Sequence, residues 1–164
     1  MTLLTAEALA RVGAAVSYAA PEPLGRASIR YFALAVGDDN PLYHDDAYAR
    51  EHGWPGVIAP PTFVCETLQY AAGRRRDANG YLGHDWGLTF AEPVTMIRGG
   101  HDYRFFQAVT PDDVLHVTWT LRSLEEKRGG DGAPMVVGVA EASCSNQHGE
   151  LLAVNEETLI WRRR

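Results

Sequence analysis

Gly37-Asp38-Asp39-Asn40-Pro41-Leu42-Tyr43-His44-Asp45 and, shortly after it, Ile58-Ala59-Pro60-Pro61-Thr62-Phe63 are the two stretches on which the reading of this chain turns. The first packs carboxylates, an amide, a phenol and an imidazole into one polar bend between apolar segments. That is a place where acid/base chemistry can be housed. It is equally a place where Asp38, Asp39 and Asn40 could serve only as turn formers, because such side chains hydrogen-bond their own backbone.

Outward from these stretches the chain divides into a helical first half and a strand-rich second half, an α+β arrangement rather than alternating βαβ units. Residues Thr5 to Val16 read as an amphipathic helix with a Thr cap, and Pro21-Glu22-Pro23 as an extended link. Ser28 is placed to cap a second helix ending at Gly37, and Asp45 a short one running to His52 with Gly53 as its stop. Pro60-Pro61 then opens a third, long helix from Thr62 to Gly73, apolar on nearly every side, since proline is tolerated in a first helical turn. Asp77 to Gly100 reads as a long excursion with one strand near Thr95 to Arg98. Strands are expected over His101–Val109, Leu115–Leu121, Met135–Ser145 and Glu150–Trp161, with Glu125–Pro134 as a charged hairpin loop. A long, mostly buried helix followed by consecutive antiparallel strands implies a sheet wrapped around that helix.

The chain has 164 residues, 46% of them hydrophobic, enough for one well-cored domain over 1–164 and too few for two. Its net charge of −6 leaves no basic stripe to neutralise phosphates along a nucleic acid. Arg74-Arg75-Arg76 and Arg162-Arg163-Arg164 are the only basic runs, read as helix-end and tail cations or as contacts for an acidic cofactor such as coenzyme A. Cys65 and Cys144 fall on segments that read as buried, which fits a reducing compartment. The N-terminus lacks a signal-peptide pattern and no apolar run reaches membrane-spanning length, so a soluble cytoplasmic protein without a membrane partner is expected. The scattered histidines, His52, His84, His101, His116 and His148, lack metal-ligand spacing. Tyr81, Trp86 and Phe90 could line an acyl pocket or anchor the excursion to the sheet.

Phe32 to Leu42 together with Pro55-Gly56-Val57-Ile58-Ala59, then Gly99-Gly100 and the strand carrying Tyr103, Phe105 and Phe106, resembles the signature of MaoC-like, type-2 enoyl-CoA hydratases. The resemblance implies a single hotdog fold, a long central helix wrapped by an antiparallel sheet. It also implies the (R)-specific addition of water to a trans-2-enoyl thioester, or the reverse dehydration of a 3-hydroxyacyl thioester. That reaction needs a base for the α-proton, an acid for the 3-hydroxyl and donors aimed at the enolate oxygen, with a CoA or carrier-protein thioester as substrate and no metal or redox cofactor.

Carried over by position, the family's catalytic Asp falls on Asp38 and its Asn-Pro on Asn40-Pro41. Its His falls on Tyr43, the imidazole coming one residue late at His44. The family's His-Gly, whose glycine amide donates to the oxyanion, becomes Pro60-Pro61, and proline has no N–H. The resemblance thus makes Asp38, Tyr43 and His44 the candidate catalytic residues, and Asn40, Pro60, Pro61, Thr62, Gly99 and Gly100 the candidate substrate-binding residues. The departures look like the degenerate, channel-forming half of a two-hotdog dehydratase, which pairs with a catalytic subunit. An autonomous homodimeric hydratase, a hotdog thioesterase and a non-catalytic acyl-thioester binding protein are the rival expectations.

Overall fold

The computed structural model describes residues 2–64 and 84–164. Within them three short helices, α1 (Ala6–Leu9), α2 (Arg26–Val36) and α3 (Asp46–Glu51), accompany five strands. The strands are β1 (Ala15–Ala19), β2 (Val94–Phe105), β3 (His116–Arg128), β4 (Pro134–Ser145) and β5 (Leu151–Arg163). They form one antiparallel sheet in the order β1-β3-β4-β5-β2. The α+β expectation holds.

Period-two burial drives the sheet. In β4 the even-numbered residues Val136 to Cys144 are buried and the odd ones half-exposed, as a ladder with one face against a core requires. The same row structure puts Trp119 and Leu121 of β3, Ala140 and Ala142 of β4, and Leu159 and Trp161 of β5 in the core, all at or near zero exposure except Trp161 at 8%. Small residues on β4 leave room for large neighbours. Gly138 shows this most sharply, because a Cβ there would sit 2.7 Å from the Trp161 ring and 2.9 Å from Leu124.

Several sequence expectations are corrected. The first helix spans Ala6–Leu9, capped by the Thr5 hydroxyl as expected, and not Thr5 to Val16. Gly13, at φ 88°, turns the chain, and Val16 and Tyr18 enter the ladder opposite Trp119 and Val117. Tertiary pairing here overrides helical periodicity. The second helix starts at Arg26 after Gly25, ahead of Ser28. The strands expected on either side of Gly99-Gly100 are one continuous β2, its register slipping between Arg98 and Gly100. A Cβ on Gly99 would meet Thr158 at 2.9 Å, so glycine lets the bulge lie against β5. The β3–β4 hairpin is tighter than the charged stretch suggested. Glu125 and Lys127 pair with Val137 and Met135, because solvated charges on an outer face do not hinder backbone pairing.

Asp45 caps α3 through its carboxylate, which accepts from the Ala47 and Tyr48 amides. Residues 61–64 are helical directly after Pro60. The expected long helix from Thr62 to Gly73 otherwise lies outside the described residues, as do Cys65, Arg74-Arg75-Arg76 and Tyr81.

The packing yields a direct check. Gly138→Val forces atoms into the Trp161 ring and Leu124 and is expected to destabilise the fold by about 1–3 kcal/mol, read from the midpoint of chemical denaturation. Wild-type stability in that variant would show that the small residue is not required by this packing.

Candidate active site

The polar bend is built by the end of α2. Gly37, in the left-handed region, closes the helix as the Gly37 amide donates to the Leu34 carbonyl at 3.2 Å and the Asp38 amide to the Ala33 carbonyl at 2.9 Å. Two side-chain turns follow in series. The Asp38 carboxylate accepts from the Asn40 amide at 3.2 Å, and the Asn40 side-chain oxygen from the Leu42 amide at 3.1 Å. A 3-10 turn over Pro41–Tyr43 then carries Tyr43 inward, where it is 8% exposed.

Residues 57–60 are buried and tie this bend to the sheet. The Ile58 amide donates to the Leu42 carbonyl at 3.1 Å and the Ala59 amide to the Val109 carbonyl at 2.7 Å. The helical turn that follows begins at Pro61, and Phe63 packs on Phe32 with ring centres 4.9 Å apart. Between these parts lies an apolar cavity of about 370 Å³, with Tyr43, Trp54, Ile58, Pro61, Phe105 and Gln107 among its lining residues. Apolar lining with a few polar groups is the ordinary make-up of a small-molecule site.

The expected site residues distribute unevenly around it. Tyr43 and Pro61 line the cavity; Asp38 and His44 are exposed and do not. The Asp38 charge nonetheless reaches Tyr43. Burial above all, and then that negative charge, push the Tyr43 phenol above its ordinary value, while hydrogen bonding with the Asn40 side chain pulls it back. Asp38, Asn40 and Tyr43 therefore stand together as one electrostatic group. Pro60 is buried behind the cavity wall and Thr62 is exposed. His44 lies in a second cavity of about 290 Å³, with Arg26, Ala27, Arg30, Tyr43 and Val57. The one-residue shift thus sends the phenol and the imidazole to different places.

Gly99 and Gly100 are not at this site. Gly100 stands five β2 residues before Phe105, roughly 17 Å along an extended strand. Beside the glycines is a polar group that joins exposed Arg98 and His101 to buried Asn155 and Glu157. The Arg98 Nε donates to Glu157 Oε1 at 3.0 Å, and Arg98 Nη2 lies 2.8 Å from His101 Nε2. Arginine can only donate, so His101 Nε2 accepts and its Nδ1–H is directed at the Asn155 side-chain oxygen, 3.1 Å away. Trp86 is 4% exposed, with its carbonyl accepting from Arg11, and Phe90 packs on Trp161 at 5.5 Å; both anchor the segment before β2. Cys144 is buried in the core. Arg162 and Arg163 pair with Asp131 and Glu92. Among the described residues no three His, Cys, Asp or Glu side chains gather as metal ligands, and no helix is long and apolar enough to cross a membrane.

Sequence reasoning missed Arg26, Arg30, Trp54 and Gln107, which carry no motif. Only the meeting of residues 105–109 with 54–64 gives Trp54 and Gln107 a place.

A raised phenol pKa has a definite consequence for stability. Past the ordinary value of 10.0, the unfolded chain releases this proton while the folded chain keeps it, so stability falls as pH rises until folded Tyr43 also titrates. Denaturant unfolding from about pH 9 to about pH 11 is expected to show a steeper loss in the wild type than in Tyr43→Phe. Parallel curves would place the phenol in an ordinary aqueous setting.

A family model described as FAS1-like, dehydratase domain region, matches residues 10–155. A UPF0336 protein of Streptomyces coelicolor is 37% identical over 120 residues, 73% of this chain and 75% of that protein. One chain of the ChsH1-ChsH2 complex from Mycobacterium tuberculosis superposes with a TM-score of 0.77 at 19% identity, covering 94% of this chain and 88% of that one. A MaoC-like dehydratase from Rhodospirillum rubrum does so with a TM-score of 0.67 at 19% identity, covering 93% of each. At such identities the structural likeness speaks for the fold, and it is the hotdog fold. The match across residues 10–155 settles the rest: the chain belongs to the FAS1-like dehydratase domain family.

Proposed function

We propose that this chain is one half of a two-hotdog hydratase/dehydratase of acyl thioesters, holding the acyl chain while a second, catalytic MaoC-like hotdog supplies the acid/base residues. The observation that carries the reading is an apolar cavity whose wall includes Pro61, at the helix start where an enolate would need an amide donor. Proline has none to give, and loss of one such donor costs about a hundredfold or more in rate.

The other groups point the same way. A neutral, buried Tyr43 can donate one hydrogen bond to a ligand oxygen, but its raised pKa makes it a poor proton source and no base at neutral pH. Asp38 spends one carboxylate oxygen on the bend and faces solvent. What remains well formed is binding surface. The chain also offers places for a partner: among the described residues β2 is an outer strand of the sheet, with Ile97, Phe105 and Phe106 exposed, and α2 exposes Tyr31, Leu34 and Val36. Unpaired edges and apolar patches of this kind are normally covered. The ChsH1-ChsH2 relative is a complex by its name. So read, the reaction uses a CoA or carrier-protein thioester and needs no metal or redox group.

One observation favours a second reading, an autonomous homodimeric hydratase. The Asp38 charge acts on Tyr43, so a second copy covering the bend would desolvate a carboxylate and a phenol already in communication.

Hydration of a short enoyl-CoA, followed by loss of the conjugated thioester absorbance, separates the two. The chain alone is expected to be at least about a hundredfold slower than its complex with a hotdog carrying the full Asp/His pair, and Asp38→Asn or His44→Ala should leave the complex's rate at saturating enoyl-CoA intact. Full activity of the chain alone, abolished by both substitutions, would replace this reading with the homodimeric one.

A further inference from the structure

We propose that the cavity beside His44 is an anion subsite for a phosphate ester, the phosphate on the pantetheine arm of the thioester. Its biological ligand rests on the acyl-thioester reading above; its chemistry does not. Arg26, Arg30 and His44 line this cavity of about 290 Å³, and among the described residues no carboxylate does. In a chain of net charge −6 that is a local reversal of sign.

The neighbouring polar cavity shows that the reversal is specific. That space, about 310 Å³, is lined by Arg26 and Arg50 but also by Asp46 and Asp112. Between the two cavities runs the Arg26–Asp46 pair, both guanidinium nitrogens donating at 3.0 and 2.8 Å. The pair holds Asp46 below the usual carboxylate range and fixes Arg26 in place. Arg30 has no carboxylate partner among the described residues; its guanidinium lies over the Tyr31 ring, 5.3 Å from the centre. Stacking holds the planar fork without using its donors. His44 likewise makes no side-chain hydrogen bond among the described residues, and even a neutral imidazole has one N–H to give. A held guanidinium and a free imidazole facing one concavity suit an oxyanion, with a doubly hydrogen-bonded phosphate as the natural fit for arginine.

Tyr43 says which anion. It is a wall of this cavity and of the apolar one, so a ligand reaching both must have an apolar part and an anionic part. An acyl thioester of phosphopantetheine is such a molecule, whether its phosphate continues into coenzyme A or into a carrier protein. His44, displaced by one residue from the position the imidazole holds in hydratases, is then a phosphate ligand.

The test compares hexanoyl-pantetheine, hexanoyl-4′-phosphopantetheine and hexanoyl-CoA by calorimetric titration of the intact chain, alongside inorganic phosphate followed by the His44 imidazole resonances. The two phosphorylated thioesters are expected to bind about tenfold or more tightly than the pantetheine thioester, a preference that Arg30→Ala abolishes, Arg30→Lys partly keeps and added salt weakens. Equal affinity for all three in the wild type, or an unchanged preference in Arg30→Ala, overturns the subsite. Tighter binding of the CoA form than of the phosphopantetheine form supports it with coenzyme A as the source, and equal binding of those two supports it with a carrier protein. If no thioester binds but phosphate shifts the His44 resonances in the wild type and not in Arg30→Ala, the subsite stands and the hydratase reading falls. No shift at all removes the subsite.

Discussion

Two backbone hydrogen bonds, Ile58 to Leu42 and Ala59 to Val109, are the constraint on which the functional part of this molecule depends. They lie in a buried segment, where an amide left unpaired would cost about 1–3 kcal/mol, so the segment has little choice of position. Through them the polar bend, the start of the helix after Pro60 and the chain just past β2 are drawn around one space. The cavity is a consequence of that three-way closure, and each wall comes from a different part of the chain.

Within that closure a single residue of register decides much. The 3-10 turn over Pro41–Tyr43 points Tyr43 into the core and leaves His44 on the other side of it. Neighbouring residues in a turn cannot share a direction, so the imidazole one place late is in a different cavity with different companions. The phenol that occupies the inward place is kept neutral by burial and by Asp38, which suits hydrogen bonding and disfavours proton transfer. At the helix start Pro61 supplies a rigid apolar wall where hydratase chemistry would want an amide. Both departures retain the shape of the cavity, which is what the proposed acyl-holding role needs.

The sheet offers the surface on which the proposed pairing would form. The β3–β4–β5 core is packed by alternation of small and large side chains, with Gly138 beneath Trp161 the tightest instance. β2 is an outer strand of the sheet among the described residues, and Phe105 and Phe106 beside it are open to solvent. A polar knot of Arg98, His101, Asn155 and Glu157 sits just inside that edge, anchoring the bulged strand to β5. A stiff edge is a better template for pairing than a frayed one, since less conformational entropy is lost on association.

The sequence by itself determined the class of fold, β4 and β5 to within a few residues, the caps at Thr5 and Asp45, and the family, because alternation, capping residues and the Asn40-Pro41 and Ile58-Ala59 patterns are local signals. It also identified both departures, since a missing N–H and a shifted imidazole are written in residue types. Tertiary structure alone decided that Val16 and Tyr18 form a strand, that the glycines at 99 and 100 lie inside β2 and away from the cavity, that Asp38 stays exposed while Tyr43 is buried, and that Arg30 and His44 line one cavity. These outcomes depend on which distant segments come together, and pairing energies between segments far apart in the chain leave no periodic mark in the residues that feel them.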